Sequence, residues 1–257
     1  MTEARPTVNA RLRRVLRFAT HQPYHRLVDL NYRLGAVALP KRVGSTTFRS
    51  YDLLHLHGRD WLREALLDDV DAGDVVIDAG AHTGVYSLAI ASIEPDACVH
   101  AVEPEPVAAN RLRRNVSLNA YEPRIAVHEL ALGAGEGQVP FFRSVYPEMG
   151  SLLPDRAAFA EAFVRGTVKV TVTTLDEGVA SGRFPPPDHV KIDVEGAEAD
   201  VLAGAATTIS EHRPHLYIDI HDRPDHPGHA AAIRRQLCSC GYHLRERGDA
   251  IIAHPGD

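Results

Sequence analysis

The sequence predicts an α/β fold: a mostly parallel central sheet with helices on both faces and a helical extension at the N-terminus. Three observations predict it. Short β-branched runs such as Val75-Val76-Ile77 alternate with helix-length segments from residue 75 to residue 238, the rhythm of parallel strands joined by crossover helices. The first such run leads through a glycine-bearing turn, Asp78-Ala79-Gly80-Ala81-His82-Thr83-Gly84, into a helix. The 257 residues suit one large α/β domain with a sizeable core better than two full domains. We expect N-terminal helices and a lid over residues 1–69, a main domain over 70–257, and a substrate-loop insertion near 144–165.

Val8, Leu12, Val15, Leu16 and Ala19 recur at helical spacing, and Pro23 ends that segment. Leu27, Leu30 and Leu34 mark a second helix, stopped by Gly35 and Pro40. Residues 45–57, rich in Thr, Phe, Tyr and Leu, read as a hairpin or lid, and Asp60 as the N-cap of a helix opening at Trp61. In the main domain, strands are expected at Val75–Ile77, Val99–Val102 and Ile125–Leu130, with helices over 84–92 and from Val107 to Leu118 behind Pro106. Phe141-Phe142 marks an added strand, a helix is expected from Pro154 to Phe163, and Val168–Val172 alternates as a strand. Strands at His189–Ile192 and His215–Ile220 follow, with one helix over Ala197–Ile209 and another over Ala230–Cys238. An antiparallel pair, Tyr242–Leu244 and Ala250–Ala253, closes the chain.

Composition narrows the function. A formal net charge of −6 gives no basic field for nucleic acid, and the arginines between Arg5 and Arg26 read as the polar face of a solvated helix. The three cysteines, Cys98, Cys238 and Cys240, make no disulfide framework and are too few for a zinc site, which fits a reducing, cytoplasmic setting. No secretory signal and no apolar run of membrane-spanning length is evident.

The strongest chemical signal is the turn after the first strand. Gly80 can take backbone angles closed to other residues and admits a ligand closely, and Gly84 permits tight packing where the helix begins. The N–H groups of that helix suit a carboxylate or phosphate, while Asp78 can accept from an ammonium or from the loop backbone. An unliganded tight turn would look the same. A nicotinamide fingerprint fails because His82 stands where its second glycine belongs, and no Gly-Lys-Ser/Thr completes a nucleotide-phosphate loop. Glu103, ending the second strand, is placed to accept both hydroxyls of a nucleoside ribose, though alone it would pass for a cap. Ala131, in Leu130-Ala131-Leu132-Gly133, falls where an adenine face would rest.

Together these segments resemble the FkbM family of S-adenosylmethionine-dependent methyltransferases. The resemblance rests on Val76-Ile77-Asp78-Ala79-Gly80-Ala81-His82-Thr83-Gly84, Val102-Glu103-Pro104, Asn115-Val116-Ser117-Leu118-Asn119, Leu130-Ala131-Leu132-Gly133 and Thr174-Leu175-Asp176. Most distinctive is Lys191-Ile192-Asp193-Val194-Glu195-Gly196-Ala197-Glu198, followed by Ile218-Asp219-Ile220-His221-Asp222. It covers about residues 70–222. The resemblance implies a Rossmann-like class I methyltransferase fold, S-adenosylmethionine as cofactor, and methylation of hydroxyl groups on sugars, polyketides or related natural products. Two residues depart from the family pattern: His82 stands where Asn is usual, and Asp222 where Glu is more frequent.

An alcohol acceptor needs a base as it attacks the methyl group. Asp193, Glu195 and Glu198 after the fourth strand and His221 after the fifth are gathered from distant positions to one crevice, with Asp193, Glu195 and His221 the catalytic candidates. His221 is the preferred base or acceptor holder, with an unperturbed pKa near neutrality that Asp219 or Asp222 could raise by orienting the ring, although a structural histidine needs no chemistry. Asp193 could instead hold the methionyl ammonium, Glu195 could fix its own loop, and Glu198 could cap the following helix. Lys191 is expected to pair with a carboxylate. The mechanistic rival is a divalent metal such as Mg2+, not favoured, on Asp193, Asp219, His221 and Asp222. Tyr146–Pro154 is the substrate-loop candidate, and His226 and His229 read as solvated loop histidines. The expected partner is a small hydroxylated acceptor, with no nucleic acid and no membrane.

Overall fold

The computed structural model describes residues 23–53, 60–144, 150–154, 164–221 and 227–256. The expected helices over 8–19 and 154–163, as well as Asp222 and His226, lie wholly or largely outside those residues.

Helix α1 (residues 23–34) ends at Gly35, whose φ is +63°. Asn31 stitches it to the following hairpin, donating to the carbonyls of Val37 and Tyr51 and accepting from the Val37 N–H, at 2.7–2.8 Å. The hairpin is β1 (Leu39–Val43) and β2 (Thr46–Ser50), antiparallel around Gly44. Helix α2 (Trp61–Asp69) is capped as expected by Asp60, whose side chain accepts from the Arg63 N–H.

The centre of the molecule is a seven-stranded sheet. Its strands are β3 (Val75–Ala79), β4 (Cys98–Val102), β5 (Ile125–His128), β9 (His189–Ile192), β10 (His215–Asp219), β11 (Tyr242–Arg247) and β12 (Ala250–Pro255), in the spatial order β11-β12-β10-β9-β3-β4-β5. From β10 to β5 the pairings are parallel, and β12 alone inserts antiparallel beside β10. Helices α3 (Val85–Ile93) and α4 (Pro106–Leu118) follow β3 and β4. Alternation along β3 feeds both faces: Val76 packs into one buried cluster with Leu66, Leu88 and Leu112, and Ile77 into another with Leu202, Phe184 and Ile233. Val43, Phe48 and Leu62, from the segment before residue 70, belong to the first cluster.

Two expectations need correction. The third strand stops at His128; Ala131–Leu132 is a separate strand, β6, which joins β7 (Gly137–Ser144) and β8 (Val164–Thr173) in a small second sheet. The long helix over Ala197–Ile209 is two: α6 (Glu198–Ala203) and α7 (Ala206–His212). Helix α5 (Leu175–Ala180), opened by Thr174, carries the cause. Asp176 accepts from the N–H groups of Thr207 and Thr208 at 2.9 and 2.7 Å, capping α7 from outside. At the break, Gly204 packs so closely that a Cβ would lie 2.0 Å from the Gly133 carbonyl oxygen. Helix α8 (His229–Ser239) precedes the closing pair.

Candidate active site

In an open parallel sheet, ligands bind beyond the carboxyl ends of the strands where the chain order reverses. Here that point lies between β3 and β9, and a cleft of about 340 Å3 opens there, within the range of small-ligand pockets. The turn after β3 forms one wall. Gly80 has φ +78°, and a Cβ on it would sit 1.8 Å from the Asp193 carbonyl oxygen, so only glycine lets the β3 and β9 loops meet. Gly84, at φ +92°, is the N-cap of α3 and supplies no side-chain cap of its own; a Cβ there would strike Leu112 at 2.2 Å. His82 is held at φ +49°, and its N–H donates to Glu103 Oε2 at 2.8 Å. Glu103 Oε1 accepts from the Glu105 N–H at the same distance. Burial raises the Glu103 carboxyl to about 7, against the lowering effect of those two bonds. Gly80, His82, Glu103 and Ala131 all line the cleft, and Leu132 and Phe141 add apolar surface.

Asp78 and Gly84 lie behind the wall rather than among the lining residues. Asp78 is fully buried; it accepts from Ser87 Oγ at 2.6 Å and pairs with Lys191 Nζ at 3.1 Å. Lys191, itself buried, also donates to the Gly80 carbonyl at 3.0 Å and lies 3.5 Å from Asp193. Burial opposes its charge, but Asp78 and Asp193 outweigh that and push its pKa up, so Lys191 is a fixed cation and no base.

The opposite wall of the cleft is a charged cluster. Asp193, Glu195, Asp219 and His221 line the same cleft. His221 Nε2 lies 3.6 Å from Glu195 and 3.8 Å from Asp193, while Nδ1 is 2.9 Å from Glu198 Oε1. Burial disfavours the imidazolium, but the Glu198 bond and the Glu195 and Asp193 carboxylates prevail and raise His221 to about 9. The imidazole of the unliganded site is therefore charged at neutral pH; the carboxylates that raise it are Glu198, Glu195 and Asp193, where the sequence pointed to Asp219 or Asp222. Asp219 is raised to about 6 by burial and by Asp193. Potential ligand atoms of Asp193, Asp219 and His221 lie within 4.8 Å of one another, a constellation able to hold a metal.

Two residues stand differently from the sequence expectation. Glu198 is more than a helix cap: wholly buried, it accepts from the Gly196 N–H at 2.8 Å and bridges His221 and His229, each at 2.9 Å. Burial works against its charge, yet both histidines bind it and its pKa falls to about 2. His229 is correspondingly buried at the start of α8 and not solvated. Of the substrate-loop candidate, Gly150 and Leu152 line the cleft, and Ser151 Oγ donates to the Glu195 carbonyl at 2.7 Å, tying the loop to the charged cluster.

The strand order, with its antiparallel β12, and a cleft at the switch point define a class I methyltransferase fold. The chain belongs to the FkbM methyltransferase family: a family profile described as the Methyltransferase FkbM domain matches residues 78–244. Similar proteins include a 2-O-methyltransferase NoeI from Sinorhizobium fredii, 27% identical over 60% of this chain and 66% of that protein. Another is a 31-O-demethyl-FK506 methyltransferase FkbM from Streptomyces tacrolimicus, 27% identical over 69% of this chain and 76% of that protein. A solved structure of a methyltransferase FkbM from Methylobacillus flagellatus shares the fold, with a TM-score of 0.51 and 21% identity over 70% of this chain and 43% of that one. The chain spans between about a tenth and two thirds of the length of the first curated relatives it matches. No helix among the described residues is long and apolar enough to cross a membrane.

Proposed function

We propose that this protein is an S-adenosylmethionine-dependent O-methyltransferase acting on a hydroxyl of a small molecule, such as a sugar or a natural-product intermediate. One observation carries the reading: the glycine cradle and Glu103 open onto the same cleft as the Asp193–Glu195–His221 cluster. The residues suit the cofactor. A Cβ would fill the space at Gly80, the Glu103 carboxylate suits two ribose hydroxyls, Ala131 and Leu132 offer an apolar rest for adenine, and Asp193 suits an ammonium. Asp78 and Gly84 support this wall from behind. The bound cofactor would supply an electrophilic methyl group on a sulfonium.

His221, in its neutral form, would take the acceptor's proton at Nε2. Glu198 would hold Nδ1, fix the ring's orientation and stabilise the imidazolium that results. Glu195 and Asp193 would position the acceptor hydroxyl beside that nitrogen. The deciding experiment is calorimetric titration with S-adenosylhomocysteine and with NAD, followed by a mass shift of about 14 Da in hydroxylated acceptors, the mass of a methyl group replacing hydrogen on an oxygen nucleophile. Saturation by NAD alone would move the protein to another class. A second reading has its own support: the gathering of Asp193, Asp219 and His221 suits a metal that orients the acceptor and lowers its pKa. Activity that survives EDTA unchanged would eliminate it.

A further inference from the structure

At the opposite edge of the sheet, the amino-terminal ends of β9, β10 and β11 and the carboxyl-terminal end of the antiparallel β12 bring histidines together. His189 of β9 is in register with His215 of β10, and His243 of β11 with His254 of β12. The β10–β12 pairing, Leu216 against Ala253, sets His215 next to His254. Their Nδ1 atoms are 3.2 Å apart, with the rings edge to face. Asp69, the last residue of α2, completes the group: potential ligand atoms of Asp69, His215 and His254 all lie within 4.8 Å of one another.

We propose that Asp69, His215 and His254 form a binding site for a divalent transition metal of the zinc type. The spacing supports it: zinc–nitrogen bonds of about 2.0–2.1 Å at a tetrahedral angle put two ligand nitrogens roughly 3.3–3.4 Å apart. Two facing Nδ1 lone pairs need either one proton between them or a cation that both can bind. Two imidazoles and a carboxylate, with water in the fourth position, match zinc or cobalt better than magnesium. The surroundings orient the carboxylate, since Tyr217 donates to Asp69 Oδ2 at 2.7 Å. Tyr217 is in turn 3.4 Å from His189 Nδ1, and His189 Nε2 is 2.9 Å from Asp74. The carboxyl end of α2 also contributes negative potential. The site lies roughly 20 Å from His221 by strand rise along β10. Its role is to staple α2 to β10 and the closing hairpin, apart from methyl transfer.

The test uses the full chain freed of metal with chelator, then titrated with Zn2+ by calorimetry and with Co2+ by visible absorption. The parent should bind one equivalent at this site, give the d–d spectrum of a tetrahedral nitrogen–oxygen site, and gain on the order of 5 °C in Tm at hundredfold excess over Kd. His215→Gln and His254→Gln should each weaken this binding at least tenfold and abolish the spectrum, whereas His243→Gln should leave both intact. Asp69→Asn offers a third ligand variant should a histidine variant fail to fold. Histidine NMR signals of the parent should shift at His215 and His254 on adding Zn2+. Absence of Zn2+ binding in the parent, a cobalt–thiolate spectrum, or undiminished binding in the ligand variants would overturn the proposal.

Discussion

Replacing Glu198 by Gln isolates the charge pair on which the acid–base reading depends. The side chain is buried and its two oxygens serve Gly196, His221 and His229, so the isosteric amide keeps the volume and removes the charge. His221 rises from 6.5 to about 9 in the fold, a gap corresponding to roughly 3 kcal/mol. The fall of Glu198 from 4.5 to about 2 contains the same interaction together with the bonds from His229 and the Gly196 N–H, and is not added to it. A histidine with a raised folded pKa contributes stability that is fully present below 6.5 and lost as pH rises through 9. Urea unfolding should therefore show Glu198→Gln costing up to roughly 3 kcal/mol more at pH 6 than at pH 9.5, less by whatever part of the shift Glu195 and Asp193 supply; at pH 9.5 the variants differ by the bonds that neutral imidazoles and the Gly196 N–H make to the Glu198 carboxylate. In NMR titrations the His221 ring should move from about 9 in the parent toward 6.5 in the variant. The acid limb of turnover should move to lower pH with it. Equal penalties at pH 6 and 9.5, or a parent His221 titrating near 6.5, would refute the reasoning.

Glu103→Gln should weaken S-adenosylhomocysteine binding by about 10- to 100-fold, the loss of charged hydrogen bonds. In the parent, calorimetric affinity should rise as pH passes upward through about 7, where the carboxyl ionises, and this dependence should vanish in the variant. Gly80→Ala places a Cβ 1.8 Å from the Asp193 carbonyl at φ +78°; denaturant unfolding should show a loss of more than about 2 kcal/mol, and a loss below 0.5 kcal/mol would show that the two loops separate readily.

How much of this was legible in the sequence depended on distance along the chain. The turn around Gly80 and the acid at Glu103 follow local rules of strand ends and backbone angles, and the structure lines the cleft with both. The central strands were equally legible, because runs buried on both faces are β-branched and continuous. What local patterns could not supply was partnership across long separations. The break in the Ala197–Ile209 helix comes from Asp176, 31 residues before Thr207. The burial of His229 comes from Glu198, 31 residues earlier. A glycine before a histidine at a helix start looks the same whether that histidine meets water or a buried carboxylate. The raised pKa of His221 has the same origin, since it depends on two carboxylates of the β9 loop and on Glu198 at the start of α6.

The charge of the cleft bears on the acceptor. Asp60, Glu103, Glu105, Asp193, Glu195 and Asp219 line it, against Arg63, Lys191 and His221. Several are already committed: Lys191 to Asp78 and Asp193, Arg63 to Asp60, and Glu105 to Arg143. The Asp193–Glu195–Asp219 group keeps an acidic excess that His221 and the Lys191 shared with Asp78 offset only in part. A carboxylate or phosphate on the acceptor would meet like charge in a partly desolvated cleft, at a cost of a few kcal/mol, whereas a neutral hydroxyl loses nothing. A neutral glycoside should accordingly surpass the corresponding uronic acid in kcat/KM by roughly tenfold or more at low salt, the ratio narrowing as ionic strength rises. Competition between the two acceptors in one reaction, read by mass spectrometry at low and high salt, measures it directly. Preference for the uronate would mean that Lys191 or Arg63 turns from its carboxylate to the acceptor, and the charge assignment of this cleft would have to be reversed.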